Sequence, residues 1–285
     1  MLDRSMRHVS SSLHGFETIP LIDDGHLARP TRFPVRYLRY WFGRLVLTEL
    51  SARLKRPLRV LEVGIDRGQL LGFMGGRRTS DGRFALPSTI ERWDGLDVQV
   101  DSEIVRRYSY TDHFVVDVEG PFDLGERRYD AIVLLHVLEH LLEPEGAMRR
   151  LRRWLAPGGV IMGGSPTMPS ALAGPHERWL RRKNADKMHD VRLHKHLSVI
   201  TPNRVRDFAK VEGMAIELLT GAFLLRWSGS RAEDSALWLR ANLLWGSLFP
   251  ALAGEVYFSL QTPVAADRSV PERESRANLR ELTTA

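Results

Sequence analysis

The run Leu58-Arg59-Val60-Leu61-Glu62-Val63 passes directly into Gly64-Ile65-Asp66-Arg67-Gly68 and then Gln69-Leu70-Leu71, and no other stretch constrains the fold so tightly. A short run dense in branched apolar residues reads as a strand buried on both faces. Glycines directly after it carry the backbone through a tight turn, where a side chain would collide with a ligand or force a disallowed φ. A helix starting near Gly68 turns unpaired N–H groups and the positive end of its dipole toward the same point, which suits a ligand carboxylate. Glu62, just before the turn, is placed to accept from donors of the loop or the ligand. A dinucleotide site needs Gly-x-Gly-x-x-Gly, and Gly64 to Gln69 fails that pattern twice.

The same alternation of strand and helix continues along the chain. Residues 92–98, 113–118, 129–135, 159–166, 214–225 and 255–261 read as further strands. Helical spacing covers 35–54, 69–74, roughly 144–155, and 201 to about 212, with Ala156-Pro157-Gly158-Gly159 closing the third of these. This order predicts an α/β fold: a Rossmann-like, doubly wound, mostly parallel seven-stranded sheet with an antiparallel last strand, in three α/β/α layers. At 285 residues the chain suits one large domain with embellishments. We expect an irregular arm over 1–34 and the domain over 35–265, with a lid or excursion at 167–200 and a Trp-rich helical insertion at 232–250. A flexible tail is expected over 266–285.

Two acidic residues end predicted strands. Asp97 closes Gly95-Leu96-Asp97-Val98, where a carboxylate accepts from vicinal ribose hydroxyls or caps the next helix. Asp117 closes Phe114-Val115-Val116-Asp117-Val118. Downstream, Tyr129 to Pro166 gives a strand, His136-Val137-Leu138-Glu139-His140-Leu141, a Pro-initiated helix, a basic turn and a Pro-Gly-Gly entry to the next strand. Together with the glycine turn, this succession resembles the class I S-adenosylmethionine-dependent methyltransferases of the small-molecule, lipid or glycan type over roughly 58–166. A weaker likeness runs through 193–214. The family usually has glycine at alternate positions of the turn. Here Asp66 replaces the middle one, and it either crowds the donor's methionine moiety or turns outward.

The resemblance implies S-adenosylmethionine as cofactor and places Asp117, with the backbone of Val118, near the adenine amino group. The full cofactor-binding set expected is Glu62, Gly64, Ile65, Gly68, Asp97, Asp117, Val118 and His136. His136 and His140 stand beside the donor's methionine end as candidate bases, and His194 and His196 are candidates from the lid. The implied reaction is methyl transfer to a hydroxyl of a small molecule, lipid precursor or glycan. The alternative is a degenerate methyltransferase fold serving as a binding scaffold, for which Asp66 is the best support.

Other chemistries fit less well. His136 to His140 satisfies the His-x-x-Glu-His pattern of zinc peptidases, but that chemistry needs both histidines on one face of a long helix, and here a strand immediately precedes them. Some quinone-precursor methyltransferases carry Glu-x-x-Glu-His here with a divalent metal; this chain has His136 in place of the first Glu, and no metal is expected. The chain has no cysteine, which excludes disulfides, thiolate metal sites and thiolate attack on a base, and fits a cytoplasmic protein. No secretory leader is expected from the polar N-terminus. The net charge of +6 permits an acidic partner, yet no Asn/Asp-Pro-Pro-Tyr segment or basic tract with interleaved aromatics points to nucleic acid. The segment 237–254 carries one charge, Arg240, and reads as a packing helix, an apolar substrate wall, or a peripheral contact with the inner membrane face through Trp238 and Trp245.

Overall fold

The computed structural model describes residues 35–74, 79–187, 190, 195–224 and 230–263. The arm over 1–34, the tail over 266–285 and His194 lie outside the described residues.

Among the described residues, seven strands form one sheet in the order β3-β2-β1-β4-β5-β7-β6. They are β1 (Leu58–Val63), β2 (Ile90–Asp97), β3 (Asp112–Val115), β4 (Tyr129–Leu135), β5 (Leu155–Pro166), β6 (Ala215–Ala222) and β7 (Glu255–Gln261). Neighbours from β3 to β5 are parallel, and β7 enters antiparallel between β5 and β6. The seven α-helices among the described residues are α1 (Leu38–Leu54), α2 (Gln69–Phe73), α3 (Ser102–Tyr108), α4 (Pro144–Leu151), α5 (Ser170–Lys183), α6 (Pro202–Val211) and α7 (Ala236–Leu248).

Alternate strand residues feed opposite faces, as the pleat requires. Val60, Val133 and Met162 pack with Leu38, Phe42, Leu70 and Leu243 of α1, α2 and α7. Leu61, Ile132 and Ile161 pack with Met148, Leu151, Val205 and Phe208 of α4 and α6. The result is the three-layer arrangement that the strand–helix alternation predicts. Both faces being covered explains why Ala131 to Leu135 of β4 read as an unbroken apolar run rather than an alternating one.

Three local details depart from the sequence reading. Residues 156–159 do not close a helix. They bulge within β5, where Leu155 pairs with Tyr129 and Val160 with Ala131. Strand β3 stops at Val115, short of Asp117, because the Asp117 carboxylate accepts the N–H of Glu119 at 2.8 Å and turns the chain. The excursion after β5 contains helix α5, which has no fully buried residue and therefore shows no core-facing apolar stripe in the sequence.

Candidate active site

The carboxyl ends of β1, β2 and β4 and the residues after β3 border a cleft of about 920 Å³. Its floor is the glycine turn. Gly64 has φ +77°, and a Cβ there would lie 2.5 Å from Val137 Cγ2, so glycine is required on both conformational and steric grounds. Its N–H donates to the Leu96 carbonyl at 2.8 Å, which locks the turn to β2. Asp66 has φ +45°, in the left-handed region that Asp enters more readily than most residues. Its N–H donates to Asp97 Oδ2 at 3.2 Å, and the residue itself is solvent-exposed. Gly68 also has positive φ, but a Cβ there would meet the Tyr108 ring at 2.6 Å, and Gly68 does not line the cleft. Its positive φ and its packing against α3 both favour glycine there.

Glu62, Ile65, Asp97, Asp117 and Val118 all line this one cleft. Glu62 is buried, and its Oε2 accepts from Trp93 Nε1 at 2.9 Å and Tyr110 Oη at 2.7 Å. Burial pushes its carboxyl up to about 7, against the lowering effect of those two donors, and the nearby Asp97 and Asp66 carboxylates add to the rise. Asp97 Oδ1 also accepts the N–H of Gln99 at 3.3 Å, so the side chain is held at the tip of β2. The Val118 carbonyl accepts from Arg150 Nε at 3.0 Å, fixing the residue after Asp117 to α4.

At the other end of the cleft stand His136, Glu139, His140 and His196. His136 has φ +57°, a conformation that costs a residue of this size roughly 1 kcal/mol or more. Its N–H donates to the Gly164 carbonyl at 2.7 Å. Its ring lies between two buried carboxylates, with Nδ1 at 3.3 Å from Glu139 Oε1 and Nε2 at 3.8 Å from Glu255 Oε1. Burial alone would raise Glu139. The hydrogen bond and charge of His136, the charge of His140 and the Ser165 hydroxyl (2.6 Å) outweigh it and hold the carboxyl down at about 2.

His140 and Glu139 belong to a 3-10 turn, Leu138–His140, that directly follows β4, so the His-x-x-Glu-His pentapeptide is not on a helix and lacks the zinc-peptidase geometry. His140 Nδ1 donates to the Lys195 carbonyl at 2.8 Å, since a carbonyl can only accept, and the ring lone pair is therefore on Nε2. The Glu139 carbonyl accepts from Leu197 and Ser198 N–H, at 2.7 and 3.1 Å, which brings the 195–198 strip alongside. His196 thereby meets His140 edge to face, with ring centroids 5.1 Å apart. One ligand atom each from Glu139, His140 and His196 lies within 4.8 Å of the others, a spacing that a cation could bridge.

The sequence reading brings together Glu62, Gly64, Ile65, Asp97, Asp117, Val118, His136, His140 and His196 at one cleft. It passes over Arg36, Arg39 and Tyr40 of the first helical segment, which also line it, and Glu255 and Ser165 behind His136. In sequence the last two are unremarkable strand positions, and only the antiparallel entry of β7 places Glu255 there.

A family model described as a methyltransferase domain matches residues 35–211, more than half of the chain. The chain belongs to the methyltransferase domain family. No curated protein matches this methyltransferase. Among solved structures it is similar to the carbon methyltransferase CurJ, at 16% identity, over 92% of this chain and 65% of that one, with a TM-score of 0.52. It is also similar to the [4+2]-cyclase SpnF, at 16% identity over 92% and 96% with a TM-score of 0.51. The N-methyltransferase NodS from Bradyrhizobium japonicum WM9, solved with S-adenosyl-L-homocysteine, shares 14% identity over 84% and 95% with a TM-score of 0.47. These likenesses are of fold. That one neighbour is called a cyclase illustrates why the acceptor chemistry of this methyltransferase must be argued from its own site.

Proposed function

We propose that this methyltransferase binds S-adenosylmethionine across the carboxyl ends of β1, β2 and β4 and transfers its methyl group to a hydroxyl of a small molecule, a lipid precursor or a glycan. The observation that carries the reading is the convergence of the Gly64 turn, Asp97 and Asp117 on one cleft, with the His140 imidazole at its far end. The cleft suits the donor because the Gly64 turn lines it with backbone in the left-handed region that glycine adopts without strain, and because Asp66, the one residue that departs from the family's turn, lines the same cleft while staying solvent-exposed. Gly64 and Ile65 would border the methionine end, Asp97 would accept the ribose hydroxyls, and Asp117 with Val118 would flank the adenine.

When bound, S-adenosylmethionine supplies an electrophilic methyl group on a sulfonium sulfur, a leaving group already activated. The protein's work is then alignment of the acceptor and removal of one proton. His140 is suited to the second task. Its Nδ1 is held by the Lys195 carbonyl, so Nε2 takes the hydroxyl proton and later returns it to water. Both ring nitrogens of His136 face carboxylates, and Nε2 is shielded from solvent, which makes His136 a positioning residue that holds Glu139 and the end of β4 in place. His196 packs on the His140 ring and fixes its plane.

Calorimetric titration with S-adenosylmethionine and S-adenosylhomocysteine tests the donor site, and absence of heat with both at millimolar concentration would end the proposal. Incubation with panels of hydroxylated acceptors, read by mass spectrometry for the addition of one methyl group, tests the acceptor. Replacement His140→Ala is expected to lower turnover by about 10²–10⁴-fold with donor affinity retained. Unchanged turnover would remove His140 from the mechanism.

A further inference from the structure

Two surface elements at the rim of the cleft expose apolar side chains in a pattern the transfer reaction does not need. Helix α7 buries Leu239, Leu243 and Gly246, yet its other side presents Leu237 at 78% exposure together with Leu244 and Leu248. Phe249 and Leu252 continue this patch into the following turn. These positions recur at helical spacing, so α7 has a second apolar stripe facing solvent. Soluble surfaces rarely carry a contiguous patch of this kind unless something covers it.

Helix α5 has the same character with charge added. It exposes Leu172 at 59% and Trp179 at 51%, one face of the helix, and Arg178, Arg182 and Lys183 are exposed beside them. Lys183 Nζ lies 5.0 Å from the centroid of the Trp179 ring, a cation–π contact that keeps a positive charge beside the exposed aromatic. The inward side is clamped: Arg181 Nε donates to the Leu197 carbonyl at 3.2 Å, and Glu177 accepts from Val199 N–H and Arg204 Nη1, both at 3.0 Å. The exposed side is thus a fixed surface, not a loose one.

Both patches connect to the carboxyl end of the sheet, where the cleft opens. Pro166, the last residue of β5, lines the cleft, and the next residue, Thr167, donates its N–H to the Gly254 carbonyl at 3.0 Å, just beyond Leu252. At its far end, α5 is tied back by Asn184 Nδ2 to the carbonyl of His196, another cleft residue.

We infer that α5 and the α7 patch together form a docking surface for an anionic lipid membrane, with the cleft mouth turned toward the bilayer. The charge on α5 selects this occupant: exposed Trp and Leu flanked by arginine and lysine match a headgroup layer that is apolar beneath and negative above. A second copy of the chain would bring like charges together at the same place. No helix among the described residues is long and apolar enough to cross a membrane, so the contact is peripheral. The inference goes beyond the transfer reaction and stands whichever atom is methylated.

Co-sedimentation with phosphatidylcholine vesicles, with and without phosphatidylglycerol, tests it on the full chain. Binding is expected to be at least about tenfold stronger with phosphatidylglycerol and to fall with salt. It should be lost in Leu172→Glu/Trp179→Glu and in Leu244→Glu/Leu248→Glu, and weakened in Arg178→Ser/Arg182→Ser/Lys183→Ser. All these positions are exposed, and unchanged calorimetric binding of S-adenosylmethionine by each variant separates this result from failure of the donor site. Binding to neither vesicle, or equal binding to both, overturns the inference. So does a dimer, seen by sedimentation velocity, that Leu244→Glu/Leu248→Glu dissolves in a protein that ignores vesicles.

Discussion

Asp97 accepts the backbone N–H of Asp66 through Oδ2 at 3.2 Å, so the tip of the second strand and the glycine turn hold one another. The same carboxylate is the group proposed to take the ribose hydroxyls. Asp97→Ala therefore removes a brace of the turn and two charge-assisted hydrogen bonds to the donor, each worth about 1.5–3 kcal/mol. Calorimetry is expected to show at least about a hundredfold weaker binding of S-adenosylmethionine. Asp66→Gly, in contrast, keeps the backbone N–H and suits the positive φ, and its donor affinity is expected to stay within about threefold of the parent. A larger loss in Asp66→Gly would show that the Asp66 side chain is itself part of the donor site.

Glu62 makes stability depend on pH in a direction opposite to that of most carboxylates. Its folded value, about 7, lies above the ordinary 4.5, so the folded state holds the proton more tightly than the unfolded chain. The contribution is complete below pH 4.5 and is lost as pH rises to 7, a change of about 3 kcal/mol at 1.36 kcal/mol per unit. Glu62→Gln keeps an oxygen for Trp93 and Tyr110 and carries no charge. Urea unfolding at pH 5 and pH 8 should show the variant gaining on the parent at the higher pH. A difference that does not change with pH would contradict a buried, proton-retaining Glu62.

Helix α7 lies against β6 through two glycines. A Cβ on Gly246 would stand 2.2 Å from the Gly221 carbonyl oxygen, and backbone cannot yield as a side chain can. Gly246→Ala is expected to destabilise the protein by about 1–3 kcal/mol or more by forcing the helix off the sheet. Denaturant midpoints measure this, and a neutral result would mean that the helix sits farther out.

The Glu139, His140 and His196 trio could bridge a cation by spacing, but the transfer proposed here uses His140 as a proton acceptor. Dialysis against a chelator is accordingly expected to leave the initial rate unchanged. A loss of activity restored by zinc or another divalent transition metal would reassign the trio as ligands.

That Gly64 and Asp97 would border one cleft was legible because their requirements are local. A strand, a positive-φ glycine and an acidic strand tip follow one another in sequence at Gly64 and Asp97, and the parallel sheet then brings such tips together. Gly68 carries the same signal, and a Cβ would meet Val137 at Gly64 and Tyr108 at Gly68; sequence does not tell that Gly64 lines the cleft and Gly68 does not. The methyl end was only half legible. His136 and His140 stand out as histidines after a strand, whereas Ser165 reaches Glu139 from β5 beside β4, and Glu255 reaches His136 only because β7 pairs with β5. Helix α5 escaped notice because it contributes nothing to the core and so lacks the periodic apolar signal by which helices are read.

The antiparallel entry of β7 divides the surroundings of the cleft in two along the chain. Every residue lining the cleft falls before position 212, inside the stretch matched by the family, yet the carboxylate behind His136 arrives from Glu255, far downstream. Variation over 212–263 can therefore remodel what His136 leans on, and the outer apolar face of α7, while leaving the donor's own wall untouched.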